Sequence, residues 1–431
     1  MRSCRIKEIL SSYLPIELII NILYRLPVKS LIRFKSVSKP WKSLVEDPDF
    51  VKSYMDQQQV KTKRLITKCD TSSFLSTDLD SLDKLSIVNM PKLQRSYRHI
   101  ELIGSSNGLV TLCCTFSNLN DPLVFDFIIW NMATRKHLII PLELPHPPKC
   151  TLLVQGFGYN SVCDDYKVVR AFKSGGGGGD GDDLITMVYS LKKHEWVWST
   201  INSPDYHFED LLVGSLVSNG ALHWLAFEGY AWDPIIVAFD LNTEEYHKVS
   251  LPVNVIADEL ESLRLAVLGD SLCILVDVGD VDIWVIKDYM VKESWTKVYS
   301  LRLKIFPMPL AFSISGDGTT LLLLKYKEFA HRAYWYNPSE STIYLCKPSL
   351  EEEVQIFVAP SSRFVTAMIY EESLTPIVGS KGTRELSQTW SMLLHFKDLA
   401  VAQSHKSQVI TASRNKIMAF QDPSEAQVQS D

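Results

Sequence analysis

The sequence lacks the features that would place it among membrane, secreted or nucleic-acid-binding proteins. No stretch of about eighteen residues is both uncharged and mainly apolar, so we expect no membrane-spanning helix. The opening MRSCRIKEIL has neither a long apolar run nor a small-residue cleavage site, so we expect no secretory signal. The net charge of −6 on 431 residues is too small for a general attraction to nucleic acid or to a membrane surface.

Cysteine and histidine patterns typical of disulfide scaffolds and metal sites are also missing. The 8 cysteines are scattered without a C-x-x-C pair, and no N-x-S/T sequon occurs. The 10 histidines form neither H-x-x-x-H nor H-E-x-x-H, so we predict no metal site and no cofactor. We therefore expect buried free thiols in a reducing compartment, namely the cytoplasm, the nucleus or both.

What the sequence does contain is an ordinary globular composition. Apolar residues make up 46% and charged residues 22%, with 19 glycines and 20 prolines, which excludes a disordered or collagen-like chain. The 10 tryptophans and 17 tyrosines favour β-sheet over a helical bundle. By length, the chain holds about three domains, or one large repeat domain with a small module.

The first fifty residues predict three short helices. After Leu14-Pro15 the apolar residues follow helical spacing as far as the next proline. A second helix fits residues 28–37, and a third fits residues 38–45 with Ser38 as its N-cap. Asp47-Pro48 is predicted to end the third helix.

These helices carry more apolar surface than three short elements can bury in one another. The module must therefore either pack on the rest of the chain or offer its apolar face to another protein. Between Arg25 and Val45 lie six basic residues and no acidic one. This pattern fits a solvated helix face or a rim that contacts an acidic protein. It fits nucleic acid less well, because the basic residues alternate with aliphatic ones rather than with stacking aromatics.

The segment LPIELIINILYRLPVKSLIRFKSVSKPWKSLVEDPDF resembles a plant F-box along its whole length, and residues 8–55 are identified as this domain. The resemblance implies binding to a Skp-type adaptor, which joins F-box proteins to the cullin and RING subunits of a ubiquitin ligase. Leu23 and Leu44 are assigned to packing within the module. Carried over position by position, the implied adaptor contacts are Leu14, Pro15, Leu18, Ile22, Leu26, Pro27, Val28, Leu31, Phe34, Val37 and Trp41.

From about residue 60 the pattern changes to short β-branched and aromatic runs separated by turn residues. A strand–turn–strand unit recurs at Asn131, Ser190, Asp240, Lys287 and Asn337, with steps of 59, 50, 47 and 50 residues. Four strands in about 50 residues is the spacing of a kelch-type propeller blade. We expect about six blades, the sixth combining residues 62–103 with strands near Ile356 and residues 365–370. An irregular β-sandwich-like stack is the alternative.

This second region resembles the plant F-box-associated interaction domain, type 1, through pieces such as GSSNGLV, IWNMATRK, NGALHWLA and IVAFDLNTEEY. The resemblance implies that a propeller over residues 62–378 captures a protein destined for ubiquitination. Residues 379–431 are polar, and we expect a flexible tail. The predicted fold is thus a multidomain α+β chain, in which a small three-helix F-box precedes an all-β kelch-like propeller. Target contacts are expected on loops 115–123, 173–183, 203–210 and 228–234.

Apparent catalytic motifs lack the context that catalysis needs. Gly104 to Gly108 spell G-x-S-x-G, but a strand follows where a nucleophile elbow requires a helix. The pentaglycine run at residues 175–179 mimics G-x-G-x-x-G without a helix behind it. His223 is interpreted as a core histidine. We therefore predict no catalytic residues and a non-catalytic ubiquitin-ligase receptor. A propeller enzyme with an unrecognised pocket and an adaptor-binding scaffold outside the ligase stay as alternatives.

Overall fold

The computed structural model places most of the helical region and most propeller strands. It describes residues 15–57, 62–68, 73–79, 81–93, 97, 99–116, 124–141, 150–174, 184–199, 206–208, 216–229, 233–253, 255, 263–268, 271–277, 280–301, 321–326, 340–347, 352–360 and 367–377. The predicted tail at 379–431 lies outside these residues, as does Leu14.

The N-terminal region contains four described helices: α1 Ile16–Tyr24, α2 Val28–Phe34, α3 Lys39–Val45 and α4 Pro48–Gln57. The first three confirm the predicted helices. The predicted end of the third helix before Asp47-Pro48 is confirmed, whereas the prediction of a three-helix module is wrong, because Pro48 begins α4. Asp47 Oδ1 accepts hydrogen bonds from the backbone N–H of Asp49 at 3.0 Å and of Phe50 at 3.1 Å. It therefore satisfies amides that would otherwise be unpaired at the start of a helix.

The rest of the described chain is β-structure. The strands are β1 Lys63–Lys68, β2 Ser73–Asp78, β3 Ser81–Asn89, β4 His99–Ser106, β5 Leu109–Phe116, β6 Val124–Asn131, β7 Lys136–Pro141, β8 Cys150–Asn160, β9 Asp165–Ser174, β10 Leu184–Ser190, β11 Glu195–Ser199, β12 Tyr206–His207, β13 Leu216–Ser218, β14 Ala221–Glu228, β15 Asp233–Asp240, β16 Tyr246–Val249, β17 Leu263–Leu268, β18 Ser271–Asp277, β19 Val281–Ile286, β20 Trp295–Leu301, β21 Leu321–Tyr326, β22 Glu340–Lys347, β23 Glu352–Pro360 and β24 Ala367–Glu371.

These strands form antiparallel sheets arranged as propeller blades. Four sheets have four strands, in the orders β24-β1-β2-β3, β4-β5-β6-β7, β11-β10-β9-β8 and β17-β18-β19-β20. One sheet has five strands, with β12 and β13 both pairing with β14 ahead of β15 and β16, and β21-β22-β23 form a sheet of three. Repeated four-stranded sheets confirm the predicted all-β propeller.

The first blade is closed by the end of the described chain. β24 pairs with β1 in an antiparallel register that joins Arg64 to Tyr370 and Leu65 to Ile369. The predicted union of residues near 365–370 with the first strands is therefore confirmed. The part of that prediction involving Ile356 is wrong, since this residue lies in β23, which pairs with β22 in another sheet.

The positions predicted to be equivalent in successive blades share a turn. Asn131 Oδ1 accepts from Thr134 N at 2.9 Å, Ser190 Oγ from Lys193 N at 3.0 Å, and Asp240 Oδ1 from Thr243 N at 2.9 Å. The residue four positions after each has a positive φ: 60° at Arg135, 58° at His194 and 61° at Glu244. A short polar side chain at the end of the third strand thus organises the same turn in three blades.

The blades are held together by apolar side chains packed between sheets. One buried cluster joins the second and third blades through residues such as Phe127, Phe157 and Met187. Trp196 and Trp198 are half-buried against this cluster, and Trp295 is buried between the fourth and fifth blades. These three tryptophans pack between strands, as predicted, whereas Trp335 lies outside the described residues.

The connections between strands alternate between two faces of the propeller. The turns at residues 107–108, 161–164 and 219–220 lie on one face, where Asn160 Nδ2 of the third blade donates to the Leu241 carbonyl of the fourth at 2.9 Å. The four helices lie against this face, since Ala133, in a turn of the second blade, packs on their core. We call it the helical face.

The four candidate target loops belong to the other face. They follow β5, β9, β11 and β14, and each of these strands begins at a turn on the helical face. An antiparallel strand that begins at one face ends at the other, so all four connections leave the propeller on the face opposite the helices. Most residues of these loops lie outside the described ranges.

Residues 371–377, which we call the closing segment, continue from β24 across the helical face. Asn131 Nδ2 of the second blade donates to the carbonyls of Ser373 at 3.2 Å and Thr375 at 3.0 Å. Thr375 Oγ1 donates to the carbonyl of Asn107 at 2.8 Å. The segment therefore ties the first blade to the second as well as completing the first.

Two Asn-Gly turns offer a matched test of the closing segment. Gly108 (φ 79°) and Gly220 (φ 74°) both adopt a backbone conformation that costs an L-residue about 1–2 kcal/mol. A Cβ at Gly220 would meet nothing within 4 Å, whereas one at Gly108 would lie within 2.4 Å of the Ser373 side chain. Gly108→Ala is therefore expected to lower unfolding free energy by roughly 1–3 kcal/mol more than Gly220→Ala. Denaturant unfolding of both variants measures the difference, and equal losses would contradict the contact.

Candidate functional site

The helical module is built on local sequence signals. Pro15 and Pro27 precede α1 and α2 with extended backbones, and neither residue offers an amide that would go unpaired. Ser38 caps α3 by accepting a hydrogen bond from Trp41 N at 3.3 Å. Phe34 and Trp41 contact each other edge to face, with ring centroids 5.2 Å apart. These signals hold α2 and α3 at a fixed angle.

The module leaves several apolar side chains exposed to solvent. Leu18 is 49% exposed and Ile22, one helical turn later, is 52% exposed, while Val37 after α2 is 66% exposed. Pro15 and Pro27, which flank α1, are also exposed. We call Leu18, Ile22 and Val37 with these two prolines the apolar ridge. Exposed aliphatic side chains that share one small module mark a surface for another protein.

The other predicted contact residues are divided between the ridge's edge and the core. Leu26, Phe34 and Trp41 are half-buried and pack against the module's core. Val28 and Leu31 are 0% exposed, so in this chain they are core residues and do not belong to the free surface. Their burial follows from contacts that the sequence pattern did not include, namely α4 and the closing segment.

The core of the module is completed from outside the predicted helices. Leu23, predicted to pack inside, is fully buried, and Leu44 packs against the same cluster. Phe50, Val51 and Tyr54 of α4 and Leu374 of the closing segment are buried in it too. The expectation that the module packs on its own chain is therefore confirmed through Leu374, while the binding of another protein by its exposed apolar residues stays a prediction.

Tyr54 is the main residue that the sequence interpretation missed. Its hydroxyl donates to the Leu26 carbonyl at 2.7 Å, and its ring stacks on Phe50 with centroids 6.3 Å apart. Burial, with a contribution from the negative charge of Glu372, raises the pKa of Tyr54 to about 12. The spacing of Phe50 and Tyr54 after Asp47-Pro48 is helical and was the available signal.

A basic rim borders the module. Lys35 is half-buried with its ammonium 3.7 Å from Glu46, and burial lowers its pKa, with repulsion from Lys136 and Lys42 acting in the same direction. Lys136 begins β7, so the positive rim extends from the module onto the second blade. The exposed members of the rim within the module are Arg25, Lys29, Arg33, Lys39 and Lys42. Such a rim suits an acidic protein surface.

The motif and side chains that could suggest catalysis have structural explanations. Ser106 ends β4 and the Asn107-Gly108 turn leads into β5, so G-x-S-x-G here is a hairpin and not a nucleophile elbow. His223 is fully buried and its Nε2 lies 2.8 Å from the Tyr289 hydroxyl, which confirms a core histidine. Burial raises the pKa of the Cys113 thiol to about 12, far from the range of a reactive thiolate.

The described residues contain no group of three or more His, Cys, Asp or Glu side chains placed to hold a metal ion. Within the same ranges, none of the helices has the length and hydrophobicity needed to cross a bilayer.

Comparisons with known proteins agree with this architecture. The F-box domain model matches residues 11–53, and the model of the F-box associated beta propeller domain matches residues 65–343. F-box protein CPR1 of Arabidopsis thaliana is 34% identical over 317 residues, which cover 67% of this chain and 73% of that protein. F-box/kelch-repeat protein At3g23880 of the same plant is 27% identical over 345 residues, covering 76% and 88%.

Similarity to solved structures is much lower. A putative 6-phosphogluconolactonase from Bacteroides uniformis aligns over 71% of this chain and 84% of that chain, with a TM-score of 0.36 and 13% identity. This likeness is too weak to bear on function. The domain matches and the Arabidopsis relatives decide the assignment: the chain belongs to the F-box proteins that carry an F-box associated β-propeller domain.

Proposed function

We propose that this chain is the substrate-recognition subunit of a Skp–cullin–F-box ubiquitin ligase, acting in the cytoplasm, the nucleus or both. Its F-box binds a Skp-type adaptor, and through it the cullin and RING subunits. Its propeller binds a target protein, which is ubiquitinated and then degraded by the proteasome. The single observation that carries the proposal is the apolar ridge, which stays exposed although Leu374 of the closing segment completes the core of the F-box.

The adaptor surface consists of the ridge and its edge. Leu18, Ile22 and Val37 supply exposed apolar area. Leu14 directly precedes Pro15 of the ridge in the sequence. Leu26, Phe34 and Trp41 border this area and gain further burial when a partner covers it. Val28 and Leu31 act indirectly, by holding α2 in place from the core. The basic rim then meets acidic groups at the adaptor's margin.

The target surface lies on the opposite face, where three of the candidate loops connect strands within a blade and loop 203–210 leads from the third blade to the fourth. We infer a ring of six blades, in which the three-stranded sheet β21-β22-β23 is the sixth. A target held there lies across the propeller from the adaptor. Ubiquitin transfer then depends on proximity, because the complex raises the effective concentration of target lysines at the ubiquitin carrier. The chain itself supplies no catalytic residue in this proposal.

Co-precipitation tests the ligase role directly. The full chain is expected to retain a Skp-type adaptor and, through it, cullin. Leu14→Ala with Pro15→Ala is expected to weaken adaptor binding by about 2 kcal/mol, the scale of an interface hot spot. Binding of adaptor without cullin would favour the alternative of a scaffold outside the ligase. Adaptor binding unchanged in the double variant would contradict the assigned surface.

The target can be sought with a variant that no longer binds the adaptor. Such a chain keeps its propeller and accumulates targets that it can no longer deliver for degradation. Affinity capture from plant cells with the proteasome blocked, followed by mass spectrometry, is expected to enrich the same proteins on the parent and on this variant. If the propeller were instead an enzyme, the purified chain would convert a small molecule, and substitutions in the pocket that binds this molecule would stop the conversion.

A further inference from the structure

A buried charge lies at the joint between the F-box and the propeller. Glu372 is 5% exposed, although it carries a charge. Its carboxylate lies 2.9 Å from the ammonium of Lys29 in α2 and 3.4 Å from Nε of Arg64 in β1. One buried carboxylate therefore bridges a cation of the F-box and a cation of the first blade. A buried carboxylate with partners on two domains favours one relative arrangement of them.

Leu374 supplies the apolar half of the same joint. It is 5% exposed and belongs to the buried cluster formed by Leu23, Leu31 and Tyr54 of the F-box. No other buried member of that cluster comes from the described propeller residues, although Ala133 packs partly against it. The propeller thus inserts one aliphatic side chain into the F-box core.

The residues of the closing segment alternate in what they contact. Glu372 and Leu374 contact the F-box, whereas Ser373 and Thr375 are bound to Asn131 and Asn107 of the second blade. Ile377 is buried between the second and third blades. Because the odd-numbered residues are fixed to the propeller, the even-numbered ones are held in place against the F-box.

We infer that Glu372 and Leu374 are positioning residues, which fix the angle at which the F-box presents its adaptor surface relative to the target face. Without them the F-box stays joined to the propeller by the five residues between α4 and β1 and by the partial packing of Ala133. An unconstrained chain of five residues spans roughly 12 Å, which sets the scale of the movement that we expect. The functional part of this inference rests on the ligase role proposed above.

A distance measurement tests the joint in the free chain. Spin labels are placed on the exposed Cys163 of the propeller and on Lys42→Cys of α3, with other accessible cysteines replaced by serine. The parent is expected to give one narrow distance distribution. Glu372→Gln with Leu374→Ala is expected to widen it to roughly 10 Å or more, the reach of the released linker.

Ile377→Ala is the matched control, because it also removes a buried side chain of the closing segment but lies between blades. It is expected to lower the melting temperature without widening the distribution. Should the double variant fail to fold, Leu374→Ala alone removes the apolar half of the joint. An unchanged width in the joint variants, or equal widening in Ile377→Ala, overturns the inference.

The effect of the joint on the ligase is measured by mapping which lysines of this chain are ubiquitinated in the reconstituted complex. The parent is expected to be modified on a restricted set of propeller lysines, and the joint variants on a wider set at unchanged adaptor affinity. The same restricted set in the joint variants overturns the positioning role. If the parent chain binds no adaptor, the proposed function is wrong. The distance measurement on the free chain still tests the joint in that case.

Discussion

A chain carrying Leu18→Glu and Ile22→Glu is expected to lose adaptor binding almost completely. Both side chains are about half exposed and lie one turn apart on α1, so glutamates there stay solvated in the free protein. In the complex, each buried carboxylate would lack a partner, which costs several kcal/mol. Two hot-spot losses of about 2 kcal/mol each amount to roughly a thousandfold in Kd.

The measurement is a titration of the purified full chain with a recombinant Skp-type adaptor. Val162→Glu provides the control, since Val162 is 75% exposed but lies in a turn of the third blade. This change is expected to leave adaptor affinity unchanged. The melting temperatures of the parent and both variants should agree closely, which separates loss of binding from loss of folding. Full adaptor affinity in the α1 double variant would refute the ridge as the adaptor surface.

Ending the chain at residue 366 is expected to have the largest effect on stability. This truncation removes β24 and the closing segment, so β1 loses the partner with which it pairs from Lys63 to Thr67. It also removes the buried side chains of Tyr370, Leu374 and Ile377, each worth about 1.5–3 kcal/mol. The three together are worth about 4.5–9 kcal/mol, which is comparable to the whole stability of a typical domain, about 5–15 kcal/mol.

A chain ending at residue 378 is the control, because it keeps every residue named in that loss. It is expected to melt at the temperature of the full chain, while the chain ending at 366 is expected to be insoluble or to unfold without a cooperative transition. Thermal unfolding followed by circular dichroism decides between them. Equal melting temperatures for the two truncations would refute ring closure by β24.

Local patterns in the sequence predicted the elements whose causes are local. Helical spacing identified α1, Ser38 was correctly predicted to cap α3, and Asn-Gly at 107–108 and 219–220 marked hairpins. The turns at Asn131, Ser190 and Asp240 were predicted as equivalent from the repeat in the sequence. The structure shows the same hydrogen bond from a backbone N–H to the polar side chain in each of them.

The features that escaped prediction depend on residues distant in sequence. Val28 and Leu31 were predicted as contact residues, but they lie in a core that α4 and Leu374 complete. Glu372 reads as an ordinary surface acid until Lys29 and Arg64 are placed beside it. α4 is a different case, since its helical spacing after Asp47-Pro48 was visible but the prediction stopped at the third helix. The ridge itself was predicted by resemblance, and its exposure required the structure.

The pairing of β24 with β1 also orders events during synthesis. The ribosome releases the F-box helices first, yet Leu374 is translated only after the blades have been made. Throughout that interval the core of the nascent F-box lacks Leu374, and the first blade lacks β24. Chaperones therefore have a long window in which to act on the nascent chain. A message cut short anywhere before the codons for the closing segment yields an F-box without its support, which cellular quality control can recognise.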